Sequence, residues 1–207
     1  MNTAVTIRHG VPWGTEQQVA ALYWEAFGRK LGAALGPPER GRAFLARHLH
    51  HDRAAVAIAG DGVVGVAGYQ LDGHGLIGGG VRDVLASYGT VRGLPRLALL
   101  ALLERTPAPG ELVMDGIAVD PCHRSTGIGS RLLTEMREIA SRHGCSRIRL
   151  DVIDTNPRAR ALYERHGFAA VHTERTPYLR TLMGFSAVTT MFRTLPAPRL
   201  DAEEQPR

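Results

Sequence analysis

Apolar residues recur with two periods along this chain, and the two periods predict alternating strands and helices. Short β-rich runs bounded by turn-forming residues predict strands at 4–7, 54–59, 63–69, 111–120, 147–153, 168–173 and 189–195. Apolar residues three and four positions apart predict helices at 16–35, 39–49, 81–88, 96–105, 128–142 and 157–165. The order of these elements indicates an α/β protein.

Residues with strong positional preferences define the starts of two helices. Thr15 and Gln18 form a capping-box pattern ahead of the first helix. Asn156 followed by Pro157 predicts a later helix with asparagine as its N-cap and proline at its first position. The folded part is predicted to end with the apolar run before residue 196, because the residues that follow are rich in proline, glutamate and arginine.

The segment at 73–110, between the third and fourth predicted strands, is the least regular part of the sequence. Pro95 suits the first position of a helix over 96–105. That helix is apolar on nearly every side, so we expect it to be buried on more than one side. Two interpretations stay open: it forms a wall or lid of a substrate site, or it covers the core or a dimer contact.

Composition and charge restrict the class of protein. The 207 residues carry a net charge of +5, and Lys30 is the only lysine. The arginines are scattered rather than interleaved with aromatic residues, so we expect no nucleic-acid partner. The longest near-apolar run, 94–103, is too short to cross a bilayer, so we expect no membrane partner. Two cysteines form no disulfide framework and no signal peptide is visible, so we expect a cytoplasmic protein.

A histidine-rich run at 48–52 is the one candidate for a metal site. Helical spacing would bring His48, His51 and Asp52 together. No second cluster of ligands supports such a site, and histidines near the end of a helix are also favoured by the helix dipole. We therefore expect no metal.

The most distinctive stretch is a predicted strand, a glycine-containing loop and a predicted helix. The loop reads Arg-Ser-Thr-Gly-Ile-Gly at 124–129. The free N–H groups and the dipole at the start of a helix favour an anion there, and glycine lets a ligand approach the backbone. The P-loop pattern is absent, and Leu132 stands where the dinucleotide fingerprint requires glycine.

The pattern [RQ]-x-x-G-x-[GA] at 124–129 resembles the acyl-CoA pyrophosphate loop of the GNAT (GCN5-related N-acetyltransferase) superfamily. Its context makes the resemblance specific. Gly-Ile-Ala-Val-Asp-Pro precedes the loop at 116–121, and Ser-Arg-Leu-Leu follows it at 130–133. Further along, 156–168 reads Asn-Pro-x-Ala-x-x-Leu-Tyr-x-x-x-Gly-Phe. The resemblance covers roughly half of the chain.

The resemblance implies a fold. We expect an α/β GNAT fold with a mixed, mostly antiparallel central sheet of about seven strands. Helices would cover both faces, and the fourth and fifth strands would splay apart. Residues 1–195 would form a single domain, 73–110 a helical insertion near the acceptor site, and 196–207 a disordered tail.

The resemblance also implies which residues bind acetyl-CoA. The backbone N–H groups of Ile117 and Val119, with Ala118 between them, would hold the acetyl and pantetheine end. The pyrophosphate would bind the N–H groups of Arg124, Ser125, Thr126, Gly127, Ile128 and Gly129. Family members often have Arg-Gly where this chain has Ser125-Thr126, whose hydroxyls can still face a phosphate. Asn156 would contact the pantetheine arm.

Two residues are implied as catalytic. Tyr163 would be the general acid at the CoA sulfur, because its ordinary pKa near 10 suits protonation of a thiolate. Many family members use a fourth-strand carboxylate as general base. Asp115 is the candidate here, because strand alternation would place its side chain on the same face as that of Ile117. Glu111 is a second candidate; a water chain or an acceptor that arrives neutral are the alternatives.

The function implied by the resemblance is transfer of an acetyl group from acetyl-CoA to a primary amine by direct attack in a ternary complex. We expect a small-molecule acceptor, because the acidic groove suited to a lysine-rich peptide is not visible. The alternatives are a non-catalytic acyl-CoA-binding sensory or scaffold module, a protein or peptide N-acetyltransferase, and a longer acyl donor. Many relatives dimerise, so both a monomer and a homodimer stay open, with the run at 94–103 as a candidate contact surface. Tyr23, Trp24 and Phe27 are interpreted as core residues, with an acceptor wall as the alternative.

Overall fold

The computed structural model describes residues 4–103, 106–177 and 180–196. Within these residues the strands are β1 (Val5–His9), β2 (Ala54–Ala59), β3 (Gly62–Gln70), β4 (Glu111–Val119), β5 (Arg147–Ile153), β6 (Ala169–Arg175) and β7 (Ala187–Thr194). The helices are α1 (Glu16–Leu35), α2 (Pro38–Arg47), α3 (Val81–Tyr88), α4 (Thr90–Leu103), α5 (Ile128–Arg142), α6 (Pro157–Arg165) and α7 (Arg180–Met183). The short α7 was not predicted. The predicted tail lies outside the described residues from 197 onward.

The strands form one sheet in the order β1-β2-β3-β4-β5-β7-β6. The pair β4–β5 is parallel, whereas the other neighbouring strands are antiparallel. The predicted fold class, a mostly antiparallel sheet of seven strands in an α/β protein, is confirmed.

Two hydrophobic cores lie on opposite faces of this sheet, so the helices cover both faces as expected. Strand alternation along β2 supplies both cores: Ala55 and Ala57 face one, whereas Ala54 and Val56 face the other. Helix α5 packs on the first face through its predicted apolar residues, Ile128, Leu132, Leu133, Met136, Ile139 and Ala140. Helices α1, α2, α3 and α4 pack on the second face.

The start of α1 differs from the prediction, because both members of the proposed capping box have other partners. The Thr15 hydroxyl donates to the carbonyl oxygen of Pro12 at 2.7 Å and makes no cap bond. The side-chain oxygen of Gln18 accepts from the N–H of Val63 at 2.8 Å, which ties α1 to β3. The prediction for α6 is confirmed: Asn156 Oδ1 accepts from the N–H of Ala159 at 3.1 Å.

Helix α4 also differs from the prediction in its start and its burial. It begins at Thr90, so Pro95 lies inside the helix rather than at its first position. Leu94 is 58% exposed and Val91 is 87% exposed, whereas Leu97 is partly buried against the second core. Within the predicted range, Leu97, Leu99 and Leu100 are partly buried against the second core, whereas Ala98 and Ala101 are exposed. The described side chains of 96–101 are therefore less buried than expected, because none of them is fully buried. Residues 104 and 105 of the predicted helix lie outside the described part.

Strands β4 and β5 separate part-way along their length, which confirms the predicted splay. Their parallel pairing runs from Glu111 to Met114 on β4 and from Arg147 to Leu150 on β5. Beyond that point β5 continues to pair with β7 and β4 with β3. A gap therefore opens between the second half of β4 and the end of β5.

A β-bulge lies in β4 at the start of this gap. Gly68 of β3 pairs with Gly116 but Tyr69 pairs with Met114, so Asp115 is an extra residue in β4. Met114 and Ile117 both pack in the first core, three positions apart. Asp115 faces the opposite side, among residues of the second core. The expectation that Asp115 and Ile117 share a face is wrong, because the bulge interrupts the alternation.

Candidate active site

The backbone of β4 presents N–H groups to the gap at alternate residues. The N–H of Asp120 donates to the carbonyl oxygen of Val64 at 2.9 Å, which fixes the phase of the β3–β4 ladder. In an antiparallel pair, hydrogen-bonded and non-hydrogen-bonded residues alternate. Ala118 therefore directs its N–H to β3 and offers no backbone donor to the gap. Ile117 and Val119 direct theirs away from β3 and toward the gap. Their role in binding acetyl-CoA stays a prediction.

The glycine loop lies directly after β4. A 3-10 turn at Pro121–His123 leads into it, and Gly127 adopts a left-handed conformation, φ +84, as the N-cap of α5. The N–H groups of the first helical turn, beginning at Ile128 and Gly129, have no acceptor within the helix. They and the positive end of the helix dipole make this loop suited to an anion.

Not every polar group of the loop is directed to a ligand. The N–H of Arg124 donates to the carbonyl oxygen of Pro121 at 3.3 Å. The Thr126 hydroxyl donates to the carbonyl oxygen of His123 at 2.7 Å, so its proton stabilises the loop itself. Ser125 has φ +65, which is unusual for a residue with a side chain. The backbone of Ser125 to Gly129 is therefore the part best placed for an anion.

The side chain of Arg124 bridges the end of β4 and helix α1. Its Nε donates to the carbonyl oxygen of Val119 at 3.0 Å, and its terminal nitrogen lies 3.1 Å from Glu25. Both members of this ion pair are about half exposed, so the pair adds little to stability. The hydrogen bond to Val119 places the Arg124 side chain beside the gap, at the end of β4.

Helix α6 packs against the glycine loop and carries Tyr163. A Cβ on Gly129 would lie 3.1 Å from Leu162, and Nε2 of His166 is 2.9 Å from the Ser130 hydroxyl. Tyr163 itself is buried in the first core, 7% exposed. Burial raises the pKa of Tyr163 to about 12, because the phenolate would be poorly solvated. The hydroxyl therefore keeps its proton at neutral pH, as a general acid requires.

A cavity of about 750 Å³ lies on the second face of the sheet, and we call it the Asp115 cavity. Its polar side chains are Tyr23, His50, Gln70, His74 and Asp115. Its apolar side chains are Leu31, Leu35, Phe44, Leu45, Ile77, Val81, Val84, Leu97, Leu100 and Ala101. The remaining lining residues are glycines at 73, 75 and 78–80. The cavity therefore draws its wall from α1, α2, α3, α4 and the insertion between β3 and β4.

The carboxyl group of Asp115 lines this cavity, and its pKa is shifted by its surroundings. Its Oδ2 accepts from the N–H of Leu76 at 3.1 Å. Burial raises the pKa of Asp115 from 3.8 to about 6, while the Leu76 N–H and the charge of Lys30 act in the opposite direction. The pKa of Tyr23 is also raised well above its usual value, first by burial and then by the charge of Asp115.

Four polar residues of the cavity, Tyr23, His50, Gln70 and His74, were not predicted as site residues. Tyr23 was interpreted as a core residue, and His50 was considered only within the histidine-rich run. Gln70 is the last residue of β3, and its side-chain oxygen is buried without a hydrogen-bond partner among the described residues. A polar residue at the end of the apolar run Val63–Tyr69 was the available signal for it.

Glu111, the second candidate base, is placed elsewhere by the structure. It is 2% exposed and its Oε2 lies 2.7 Å from Nε of Arg147. It is four residues before Asp115 on β4, roughly 13 Å away along a strand. Glu111 therefore pairs β4 with β5 at the closed end of the gap and cannot serve as the base there.

The histidine-rich run does not assemble as the metal interpretation required. Nδ1 of His51 donates to the carbonyl oxygen of Val11 at 2.8 Å, and its Nε2 lies 3.3 Å from Glu16. Within the described part of the chain, no group of three or more histidine, cysteine or acidic side chains is arranged to hold a metal ion. The described helices also include none with the length and apolar character needed to cross a membrane.

A sheet that opens between two parallel strands beside a glycine loop, with a helix-walled cavity on one face, defines an α/β protein of the acetyltransferase class. The chain belongs to the Acetyltransferase (GNAT) family, whose sequence model matches residues 17–168. The resemblance stated from the motifs is therefore confirmed.

Similar solved structures agree on the fold. An N-acetyltransferase from Staphylococcus aureus Mu50 has a TM-score of 0.64 at 14% identity, covering 94% of this chain and 100% of that one. The ribosomal-protein-S18-alanine N-acetyltransferase from Escherichia coli has a TM-score of 0.56 at 20% identity, covering 99% of each chain. At these identities the likeness shows the fold alone.

Curated relatives match over a short region. The thialysine N-epsilon-acetyltransferase of Bos taurus is 41% identical over 56 residues, which is 27% of this chain and 33% of that protein. The Mus musculus enzyme of the same name is 39% identical over 51 residues, 25% of this chain and 30% of that protein. The chain thus matches about a third of the length of these relatives.

Proposed function

We propose that this protein transfers an acetyl group from acetyl-CoA to a primary amine of a small molecule in a ternary complex. The observation that carries the proposal is the position of the gap between β4 and β5. On one side it meets the glycine loop at the start of α5, and the bulge beside it places Asp115 in a cavity on the other face. The two substrates would therefore approach one point of β4 from different directions.

Acetyl-CoA would occupy the gap. The diphosphate would bind the backbone from Ser125 to Gly129, and the pantetheine arm would lie along β4 as an additional strand. The N–H groups of Ile117 and Val119 would then hold the arm and the thioester carbonyl. Donors fixed in this way stabilise the oxyanion of the tetrahedral intermediate. Asn156, exposed at the start of α6, would contact the pantetheine arm.

The acceptor would occupy the Asp115 cavity and arrive as an ammonium ion. The Asp115 carboxylate takes one proton and leaves a neutral amine. The amine nitrogen attacks the thioester carbon, the carbon–sulfur bond then breaks, and the CoA thiolate takes the proton of Tyr163. The second proton of the nitrogen returns to Tyr163 through water, and Asp115 releases its proton to solvent. The sum is an amide, CoA and one proton.

The family relationship supports this assignment. Acetyltransferase activity is the activity of the family, and the curated relatives are named for transfer to an ε-nitrogen of thialysine, which is an amine. Because the match covers only a third of those relatives, it supports an amine as acceptor without identifying which one.

The experiment that tests the proposal is a thiol-release assay with acetyl-CoA and a panel of amines, with CoA binding followed by calorimetry. We expect CoA release that depends on the amine. Tight CoA binding with no release for any amine or peptide would instead support a non-catalytic acyl-CoA-binding module. A preference for peptides would support protein acetylation. Absence of CoA binding would contradict the assignment of the glycine loop.

A further inference from the structure

One carboxylic acid, Asp115, lines the Asp115 cavity. Asp115 is the only acidic or basic side chain on its wall other than two histidines, among the described residues that line it. A single carboxylate in a confined space suits a ligand with a single positive charge, because each further buried charge needs a partner of its own.

Polar groups from several elements lie around Gly75. A Cβ on that residue would lie 3.2 Å from Nε2 of Gln70 and 3.4 Å from Oδ2 of Asp115. The buried oxygen of Gln70 has no partner among the described residues. Nδ1 of His50 donates to the carbonyl oxygen of Gly75 at 2.8 Å, so the lone pair of the neutral ring is on Nε2.

An ammonium group has three N–H donors and no acceptor, so the carboxylate of Asp115 is a suitable partner for it. This carboxylate already accepts from the N–H of Leu76 and has further lone pairs for a ligand in the cavity.

Half of the twenty lining residues have apolar side chains, among them Leu31 and Leu35 of α1 and Leu97 and Leu100 of α4. Tyr23 and His74 are the other polar side chains of the wall. A second ammonium or a carboxylate on the ligand would lose its hydration beside the apolar side chains without gaining a partner. The wall therefore favours a hydrocarbon body and disfavours polyamines, aminoglycosides and amino acids.

We propose that the acceptor is a monoamine with an apolar body, its amino group at Asp115 and its body against the leucines of α1 and α4. This inference rests on the proposed acetyl transfer and narrows its acceptor class. The volume of about 750 Å³ lies within the range of small-molecule sites and accommodates an aliphatic chain or an aromatic ring on a short linker.

Matched pairs of amines test the charge requirement. Hexylamine and 1,6-diaminohexane differ in the second ammonium, and phenethylamine and phenylalanine differ in the carboxylate. Thiol release with acetyl-CoA is expected to give at least about tenfold higher kcat/KM for the monoamine of each pair, the scale of one misplaced group. Equal or higher kcat/KM for the diamine or the amino acid would overturn the inference.

A pair of variants tests whether the apolar body of the amine lies against the leucines of α4. Leu100→Asp places a carboxylate in the apolar wall and is expected to reduce the preference for hexylamine over 1,6-diaminohexane by about tenfold or reverse it. Leu94→Asp is the control, because Leu94 is on the same helix, 58% exposed and not part of the cavity wall. The same change of preference in both variants would contradict the location. If Leu100→Asp does not fold, the kcat/KM values of the paired amines with the unmodified protein decide whether the inference holds.

Calorimetry of the amines in the presence of CoA separates this inference from the proposed function. Preferential binding of the monoamines without thiol release from acetyl-CoA would support the cavity assignment and contradict acetyl transfer. Thiol release with equal kcat/KM for both members of each pair would support acetyl transfer and overturn the monoamine assignment. Neither binding nor release with any of the amines would overturn both.

Discussion

Folding disfavours the ionised form of the Asp115 carboxyl group. This carboxyl group lines the Asp115 cavity, and burial raises its pKa from 3.8 to about 6. The folded protein therefore binds this proton more tightly than the unfolded chain does. Consequently the free energy of unfolding falls as pH rises from about 3.8 to 6, and stays lower above that range. A residue that lowers stability at neutral pH and lines a cavity is a candidate for function.

Asp115→Asn is expected to stabilise the protein at pH 8 by up to about 3 kcal/mol, the equivalent of this pKa shift, and to change stability little at pH 4. The asparagine keeps an oxygen that can accept from the N–H of Leu76 but carries no charge. Urea unfolding of both proteins at pH 4 and pH 8 measures the difference. A gain of the same size at both pH values would show that ionisation is not its cause.

Tyr163→Phe is expected to lower kcat by about 10- to 1,000-fold, the scale of losing a general acid, while CoA affinity changes little. The phenol of Tyr163 has its pKa raised to about 12, so the unmodified protein should show no loss of activity from this group up to pH 9. Single-turnover kinetics on both proteins measures the chemical step. An unchanged rate of that step would remove Tyr163 from the mechanism.

At the scale of elements, the sequence predicted the bounds of those helices and strands that local sequence patterns specify. The bounds of α3, α5 and β5 agree with the predicted ranges, because apolar periodicity, a glycine after the helix and strand alternation specify them nearby in the chain. The capping box at Thr15 failed because Gln18 bonds to Val63, 45 residues away. The bulge at Asp115 depends on the register with β3, which no local pattern records.

The glycine loop provides a test at this scale. Gly127 has φ +84, and a Cβ there would meet no atom within 4 Å. Gly127→Ala therefore adds only the cost of the left-handed conformation, about 1–2 kcal/mol. Gly127→Glu adds the same cost and a negative charge where the diphosphate is proposed to bind. CoA affinity measured by calorimetry should fall by less than about tenfold in the alanine variant and by more than 100-fold in the glutamate variant.

The alanine variant is the control for backbone strain, and the melting temperature of each variant reports whether the fold persists. Two folded variants with the same CoA affinity would contradict a diphosphate site at this loop. Two variants with the same large loss would indicate that the backbone conformation, and not the charge, governs binding.

At the scale of the whole molecule, the site is the place where distant parts of the chain meet. The loop at 124–129 was predictable because a short motif specifies it. The Asp115 cavity was not, because its walls come from α1, the end of β3, the loop at 73–80 and α4. Tyr23 and Gln70 are ordinary in their local sequences, and only the packing of α1 over β3 and β4 brings them together.

The sheet itself is divided at the site. Strands β1 to β4 form one half, and β5, β7 and β6 form the other. The pairing that joins the halves covers four residues of each strand, Glu111 to Met114 and Arg147 to Leu150. A ligand in the gap would contact both halves. Binding at 100 times its dissociation constant would raise the free energy of unfolding by about 2.7 kcal/mol.

This division predicts an alternating pattern of amide protection along β4. Without ligand, the N–H groups of Ile117 and Val119 face the open gap, whereas those of Gly116 and Ala118 face β3. Adding CoA is therefore expected to slow hydrogen exchange at Ile117 and Val119 by at least about tenfold more than at Gly116 and Ala118, measured residue by residue by NMR. Gly127→Glu should abolish the pattern. Uniform slowing along β4 would indicate general stabilisation, and would contradict a pantetheine arm bound as an additional strand.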